Sequence, residues 1–256
     1  MSMSVTFDSN VWEIIVDEDK RNNSDQVYSK LYDLIGNGSI NPYFFEGLAT
    51  METIKKKDRK KYYANYNMAS VSSFSIDGEV ISSHVTFEGH QISEYLNRVI
   101  PLALKLGFKF TRYPRIGAPK LDIPEKYLAH DKKYSIQERN ERSFECARFI
   151  ENLGAGKGKL MNELDASNGG LVQKTKNNNS ITDKKYSTFV GEWADGDALA
   201  ANYGYGIDCF CTNDRASGAG AFSIFHADNL QQLEQKYPVN VISPENLVQI
   251  LEHIIV

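Results

Sequence analysis

Two aspartates that each follow a short β-prone segment mark where this sequence could do chemistry. Asp8 follows residues 5–7, and Asp214 follows residues 210–213. A single aspartate in such a place is most often a helix cap, but ligands of parallel α/β sheets bind beyond the carboxyl ends of the strands, where the two can meet. Asp195 and Asp197 lie in the helical segment just before the second of these strands. Carboxylates gathered there, without a His or Cys cluster of metal-ligand spacing, favour Mg²⁺ or Mn²⁺ over zinc.

Strands that alternate with helices would position these residues. The pattern predicts strands over residues 4–7, 40–45, 108–111, 207–212 and 239–242, and helices over 25–35, 47–66, 92–106, 135–153, 188–203 and 246–255. This alternation predicts an α/β fold with a central parallel sheet. The Asp-Gly pair at 77–78 predicts a hairpin, and the Gly- and Asn-rich residues 154–185 predict a mobile loop.

Composition excludes several classes of protein. The chain has 256 residues, of which 41% are hydrophobic, so it can build a sizeable core and is not disordered. A net charge of -4 argues against a uniformly basic nucleic-acid binder, and three cysteines are too few for a disulfide framework. No apolar run approaches the roughly 18 residues of a membrane span, and the first residues lack a signal peptide. We therefore expect a soluble, cytoplasmic protein without membrane association.

The order of these motifs resembles that of PIN-domain nucleases, the group that includes the toxin ribonucleases of bacterial toxin–antitoxin pairs. Residues 7–11 resemble the first acidic motif of that family, and residues 195–206 and 210–214 resemble its third and fourth. Residues 239–247 resemble the usual ending. The resemblance implies a three-layer α/β/α fold and a metal-dependent nuclease.

The resemblance also implies which carboxylates form the site. Asp195 lies about eleven residues before Gly206, which is the family's spacing, whereas Asp197 points about 200° away on a continuous helix and is a possible outer ligand if Gly196 distorts the turn. The family has a glutamate in the helix after its second strand. Glu52, about two turns into that helix, fits better than Glu46, which could simply complement the helix dipole.

The implied mechanism is hydrolysis of a phosphodiester assisted by one or two Mg²⁺ or Mn²⁺ ions. Asp8, Glu52, Asp195 and Asp214 would hold the metal and be the catalytic residues. Thr212 and Asn213 could orient a water or a ligand, and Ser9 could support the ligands, although Thr212 also suits a strand and Ser9 a cap. The basic residues Lys55, Lys56, Lys57 and Arg59 are typical of a solvated helix face, or could guide phosphates.

The predicted protein is a single PIN-like domain over residues 1–256. Its core spans about 1–68 and 182–256, and residues 69–181 are a large central insertion that could form a lid, a substrate clamp or a partner surface. We expect an endoribonuclease acting on single-stranded or structured RNA as a toxin or phage-defence effector, with an antitoxin protein or a second copy as possible partners. The alternatives are a binding module with an unused site, and a deoxyribonuclease or phosphatase of the same metal chemistry.

Overall fold

Five short segments form one parallel sheet at the centre of the molecule. The computed structural model describes residues 2–51, 54–65, 73–76, 79–82, 93–113, 123–130, 133–165, 171–177, 180–216 and 220–255. The strands of the sheet are β1 (Met3–Phe7), β2 (Ile40–Phe45), β5 (Lys109–Thr111), β6 (Cys209–Cys211) and β7 (Val241–Ile242), in the spatial order β5-β2-β1-β6-β7. A separate antiparallel hairpin consists of β3 (Ser73–Ile76) and β4 (Glu79–Ser82). The predicted hairpin is confirmed, while its turn at 77–78 lies outside the described residues.

Helices lie on both faces of the sheet. They are α1 (Ser9–Val16), α2 (Glu18–Asn22), α3 (Gln26–Gly36), α4 (Glu46–Met51), α5 (Arg59–Ala64), α6 (Glu94–Leu106), α7 (Ile136–Asn152), α8 (Lys157–Glu163), α9 (Leu171–Asn177), α10 (Asp183–Tyr205), α11 (Ala227–Lys236) and α12 (Pro244–Ile255). Short 3₁₀ turns occur at Lys56–Asp58, Glu125–Tyr127 and Gly220–Phe222. The expected three-layer α/β/α architecture is therefore confirmed. Within the described ranges, no helix has both the length and the apolar character needed to cross a membrane.

The alternation of side chains along β6 divides the core into two layers. Cys209 and Cys211 pack with α1, α3, α6 and α12, whereas Phe210 packs with α7, α10 and α11 on the other face. Both faces of the strand are buried, as in parallel sheets covered by helices on each side. A third cluster joins Met51 and Tyr63 to Trp193 and other residues in the first half of α10.

Helix α10 lies closest to α7 at a glycine. A Cβ added at Gly204 would collide with Ser143 Oγ and lie 2.8 Å from the carbonyl oxygen of Arg139, both in α7. At Gly191 of the same helix, an added Cβ would meet nothing within 4 Å. The small residue at 204 therefore sets the distance between the two helices.

The segment that precedes α10 differs most from the sequence prediction. The single helix predicted over 47–66 is wrong, because α4 ends at Met51 and a new turn starts only at Lys56. Ile54 is 1% exposed, and Lys55 has an extended backbone (ψ 134°), so burying Ile54 breaks the helix into two. The loop predicted over 154–185 is also wrong in its described parts, which contain α8, α9 and the start of α10. The predicted insertion, residues 69–181, contributes strand β5 to the central sheet. Helix α11 was not predicted from the sequence.

Candidate metal and active site

Asp8 lies at the carboxyl end of the central strand β1. Its backbone N–H donates to the carbonyl of Cys211 at 2.9 Å, which continues the β1–β6 ladder by one residue. Oδ1 accepts from the N–H of Ser9 at 2.7 Å, so Asp8 also caps α1. Oδ2 accepts from Asn10 Nδ2 at 2.7 Å and from Thr212 Oγ1 at 2.6 Å. Three donors thus fix a carboxylate that is only 4% exposed.

The end of β6 is fastened to the start of α1 through amide side chains. Asn213 Nδ2 donates to the carbonyl oxygen of Asn10 and to the Tyr28 hydroxyl oxygen, both at 2.9 Å. The N–H of Asn213 donates to Asn10 Oδ1 at 3.0 Å, and that of Asp214 donates to Thr212 Oγ1 at 2.9 Å. The predicted supporting residues Thr212 and Asn213 therefore link the loop that carries Asp214 to Asp8 and the start of α1 by hydrogen bonds.

Ser9, the third predicted supporting residue, contacts Asp8 through its backbone N–H. Its hydroxyl is buried and has no hydrogen-bond partner among the described residues. A polar atom buried without a partner is energetically costly.

Helix α10 contributes two acidic residues one turn apart, Glu192 and Asp195. Burial raises the pKa of Asp195 well above its ordinary value, and the charges of Asp8, Glu192 and Asp214 raise it further. Burial likewise raises the pKa of Glu192 to about 7, and Asp214 adds to this effect against a hydrogen bond from Ser223. Glu192 Oε2 is buried without a hydrogen-bond partner among the described residues.

Asp8 is also subject to repulsion from a neighbouring carboxylate. Burial raises the pKa of Asp8, the hydrogen bonds from Thr212, Ser9 and Asn10 oppose the shift, and the charge of Asp214 adds to it. The carboxylates of β1, α10 and β6 therefore act on one another directly. Three predicted site residues, Asp8, Asp195 and Asp214, therefore lie within electrostatic range of one another, together with Glu192.

Arg59 is a buried residue that contacts α10, rather than part of a solvated helix face. It is 8% exposed, and its guanidinium donates to the carbonyl oxygens of Ile54 at 3.3 Å and of Ser187, in α10, at 3.2 Å. Its charge lowers the pKa of Asp195. Lys55, Lys56 and Lys57, by contrast, are exposed, so their predicted contact with phosphates stays a prediction.

The other candidate carboxylates have different surroundings. Glu46 begins α4, where its Oε2 and Oε1 accept from Arg112 Nε at 2.6 Å and Nη2 at 3.2 Å. Asp197 accepts from the indole Nε1 of Trp193 at 2.9 Å, and α10 is continuous through Gly196, so the distortion required for Asp197 as an outer ligand does not occur. Glu52 lies outside the described residues.

The donor set fits a hard divalent cation by its chemistry. Carboxylate oxygens, supported by hydroxyl and amide groups, are the ligands of Mg²⁺ and Mn²⁺. Carboxyls that raise one another's pKa would be relieved by a cation between them. In the part of the chain that the structure describes, no three His, Cys, Asp or Glu side chains are close enough together to form a finished metal site.

Glu192 and Asn10 are the site residues that sequence reasoning missed. Glu192 precedes Asp195 by three residues, a spacing that places two side chains on one face of a helix. That spacing was the available signal for Glu192. Asn10 carries no comparable signal, because its role depends on the distance between β1 and β6.

Comparisons with known proteins do not assign this chain to a family. No model of a protein family matches it, and no curated protein matches it.

Proposed function

We propose that this protein is a divalent-metal-dependent nuclease that hydrolyses RNA phosphodiester bonds, with a PIN-like site. The observation that supports this proposal most is the mutual repulsion of Asp8, Glu192, Asp195 and Asp214 at the carboxyl end of a parallel sheet. Partly buried carboxyl groups that raise one another's pKa are energetically costly, and groups with such shifted pKa values cluster at functional sites. A polyanionic substrate needs that negative charge neutralised, which a bound cation would do.

Each residue of the cluster would have a distinct role. Asp8, Asp195 and Asp214 would hold Mg²⁺ or Mn²⁺, and the Thr212 hydroxyl and Asn10 amide would keep Asp8 Oδ2 in place. A bound cation supplies polarisation of a phosphoryl oxygen and stabilises developing negative charge. Glu192, with a pKa of about 7, can take up or release a proton at Oε2 near neutral pH. Arg59 would limit the repulsion within the cluster.

The first test is cleavage of labelled single-stranded RNA in Mn²⁺, in Mg²⁺ and in EDTA, with DNA as a parallel substrate. We expect metal-dependent cutting of RNA that Asp8→Asn, Asp195→Asn and Asp214→Asn each reduce by about 100-fold or more, as loss of one charge-stabilising group does. Asp208→Asn is the matched control, because Asp208 lies at the opposite end of β6 and binds Ser4 at 2.6 Å.

Three other outcomes would contradict the proposal. Cutting that survives all three substitutions would place the activity elsewhere. Equal cutting of DNA would make the protein a general nuclease. No cutting, together with no metal binding by calorimetry, would favour a binding module. An antitoxin partner, a toxin or defence role and self-association stay predictions.

A further inference from the structure

A cavity of about 300 Å³ adjoins the acidic cluster and has a composition that the cluster's chemistry does not explain. Helices α8 and α10 and the turn Gly220–Phe222 form its walls. Its volume is at the lower end of the range of small-molecule pockets, roughly 300–1,000 Å³. Glu192 is common to the cavity and the cluster, so whatever occupies the cavity would lie beside the carboxylates.

Two phenyl rings line this cavity. Phe222 is 48% exposed, whereas Phe225, three residues later, is 4% exposed and belongs to the core. Phe189, from α10, is packed into the third core cluster and gives the cavity a rigid wall. Lys159 covers one face of the Phe222 ring, so a flat aromatic group would stack on the exposed side of that ring, in an offset or edge-to-face arrangement. Packing of the core therefore does not explain why the Phe222 ring is exposed.

Two lysines place positive charge at the rings. Lys159 Nζ lies 3.7 Å from the centroid of Phe222, and Lys185 Nζ lies 5.5 Å from that of Phe189. Glu163 accepts from both, at 2.8 Å and 3.1 Å, and these hydrogen bonds, with the charges of the lysines, lower the pKa of Glu163. The lining therefore holds two lysines and two carboxyls, Glu163 and Glu192, and the ammonium groups are the ones placed at the rings, where they can contact a phosphate attached to the stacked group.

We propose that this cavity binds one base of a single-stranded RNA, next to the phosphodiester that the acidic cluster hydrolyses. The inference rests on the proposed function for the identity of the polymer. A base would stack on the exposed side of Phe222, and Lys159 and Lys185 would contact its phosphate. Stacking is tolerant of sequence but requires an unpaired base, so the cavity would select single strands over duplexes.

The test is binding of a fluorescein-labelled single-stranded oligoribonucleotide, followed by anisotropy in EDTA and again in Ca²⁺. We expect Phe222→Ala to weaken binding by about 5- to 150-fold, which is the effect of losing one stacked base. Phe222→Trp should restore binding. Ile136→Ala is the matched control, since Ile136 is an apolar residue of α7 that is 69% exposed and does not line the cavity.

A second substrate separates stacking from other effects of the substitution. An oligonucleotide that carries abasic sites throughout should bind the wild type as weakly as it binds Phe222→Ala. Equal affinity of the wild type and Phe222→Ala for intact RNA would overturn the inference, as would an equal loss on the abasic strand.

These outcomes are distinct from a failure of the proposed function. Binding that depends on Phe222, without any metal-dependent cleavage, would leave the base pocket standing and refute the nuclease. Cleavage that Asp8→Asn abolishes, with Phe222→Ala binding like the wild type, would refute only the pocket.

Discussion

At the scale of single residues, burial and repulsion between like charges both raise the pKa values of carboxyl groups in the acidic site. Glu192 shows this most clearly, because its Oε2 has no hydrogen-bond partner among the described residues and its pKa is raised to about 7. Asp8 differs in degree, since three donors offset part of the effect of burial, although its pKa is still raised. Glu192 lacks such support at Oε2 and can exchange a proton near neutrality.

The raised pKa of Glu192 predicts a pH-dependent loss of stability. In the folded state Glu192 keeps its proton up to about pH 7, whereas its ordinary value is 4.5, so the folded state binds more protons within that window. The free energy of unfolding should therefore fall as pH rises from 4.5 to 7, by up to roughly 3 kcal/mol, relative to Glu192→Gln. Urea denaturation of both proteins in EDTA, from pH 4.5 to 8, measures the difference.

Glu163→Gln provides a control of opposite sign. Hydrogen bonds from Lys159 and Lys185 lower the pKa of Glu163, so its contribution to stability is present above its unfolded value and is lost as pH falls. If the free energies of unfolding of wild type and Glu192→Gln differed by the same amount at every pH, the pKa of Glu192 would not be raised in the folded state.

At the scale of secondary-structure elements, close contact between α7 and α10 positions the acidic helix. Gly204→Ala should destabilise the protein by about 1–3 kcal/mol or more, because the new methyl group collides with Ser143 and Arg139 and forces the helices apart. Gly191→Ala, the same change in the same helix with open space around it, should stabilise by up to about 1 kcal/mol through helix propensity. Chemical denaturation of the two variants checks both signs. Equal effects would mean that the helices adjust freely.

Elements with strong periodicity were predictable, and those formed by tertiary contacts were not. The strands that end at Phe7 and Phe45 follow from β-prone residues bounded by turn or capping signals, and Ser135 marks the start of α7 with a capping box. Helix α8 was missed because its glycines and lysines suggest a loop, although Leu160 is fully buried. Such short helices are stable mainly because other elements pack on them.

The part of the candidate site that depends on the order of strands in the sheet could be predicted from the sequence. Aspartates at two strand ends meet once β1 and β6 are neighbours, and this pairing could be expected from the motifs. The roles of Asn10 and Arg59 could not, because they depend on distances between segments that are far apart in the sequence. Arg59 lies in a run of basic residues and gives no sign that it contacts α10.

At the scale of the whole molecule, the carboxylates join segments that are about 200 residues apart. A cation bound by Asp8, Asp195 and Asp214 would tie β1 to α10 and β6 and stabilise only the folded state. At 100 times its dissociation constant, Mg²⁺ or Mn²⁺ should add about 2.7 kcal/mol, or a rise in melting temperature of roughly 5–10 °C. Thermal scans with calorimetrically determined affinities measure this rise. It should vanish in Asp195→Asn and persist in Asp208→Asn, and an equal rise in all variants would indicate nonspecific binding.

The central position of β1 in the sheet also affects how the protein is made. One neighbour of β1 is β2, which pairs Ile40 with Met3, but the other is β6, which pairs Cys209 with Val5. At about 5–20 residues per second, a ribosome needs roughly 10–40 s to add the intervening chain. During that time Asp8 has neither Thr212 nor Asp214 beside it. A nascent copy, or one truncated before Cys209, therefore cannot assemble the acidic site, and any hydrolytic activity begins only after the chain has been extended beyond Asp214.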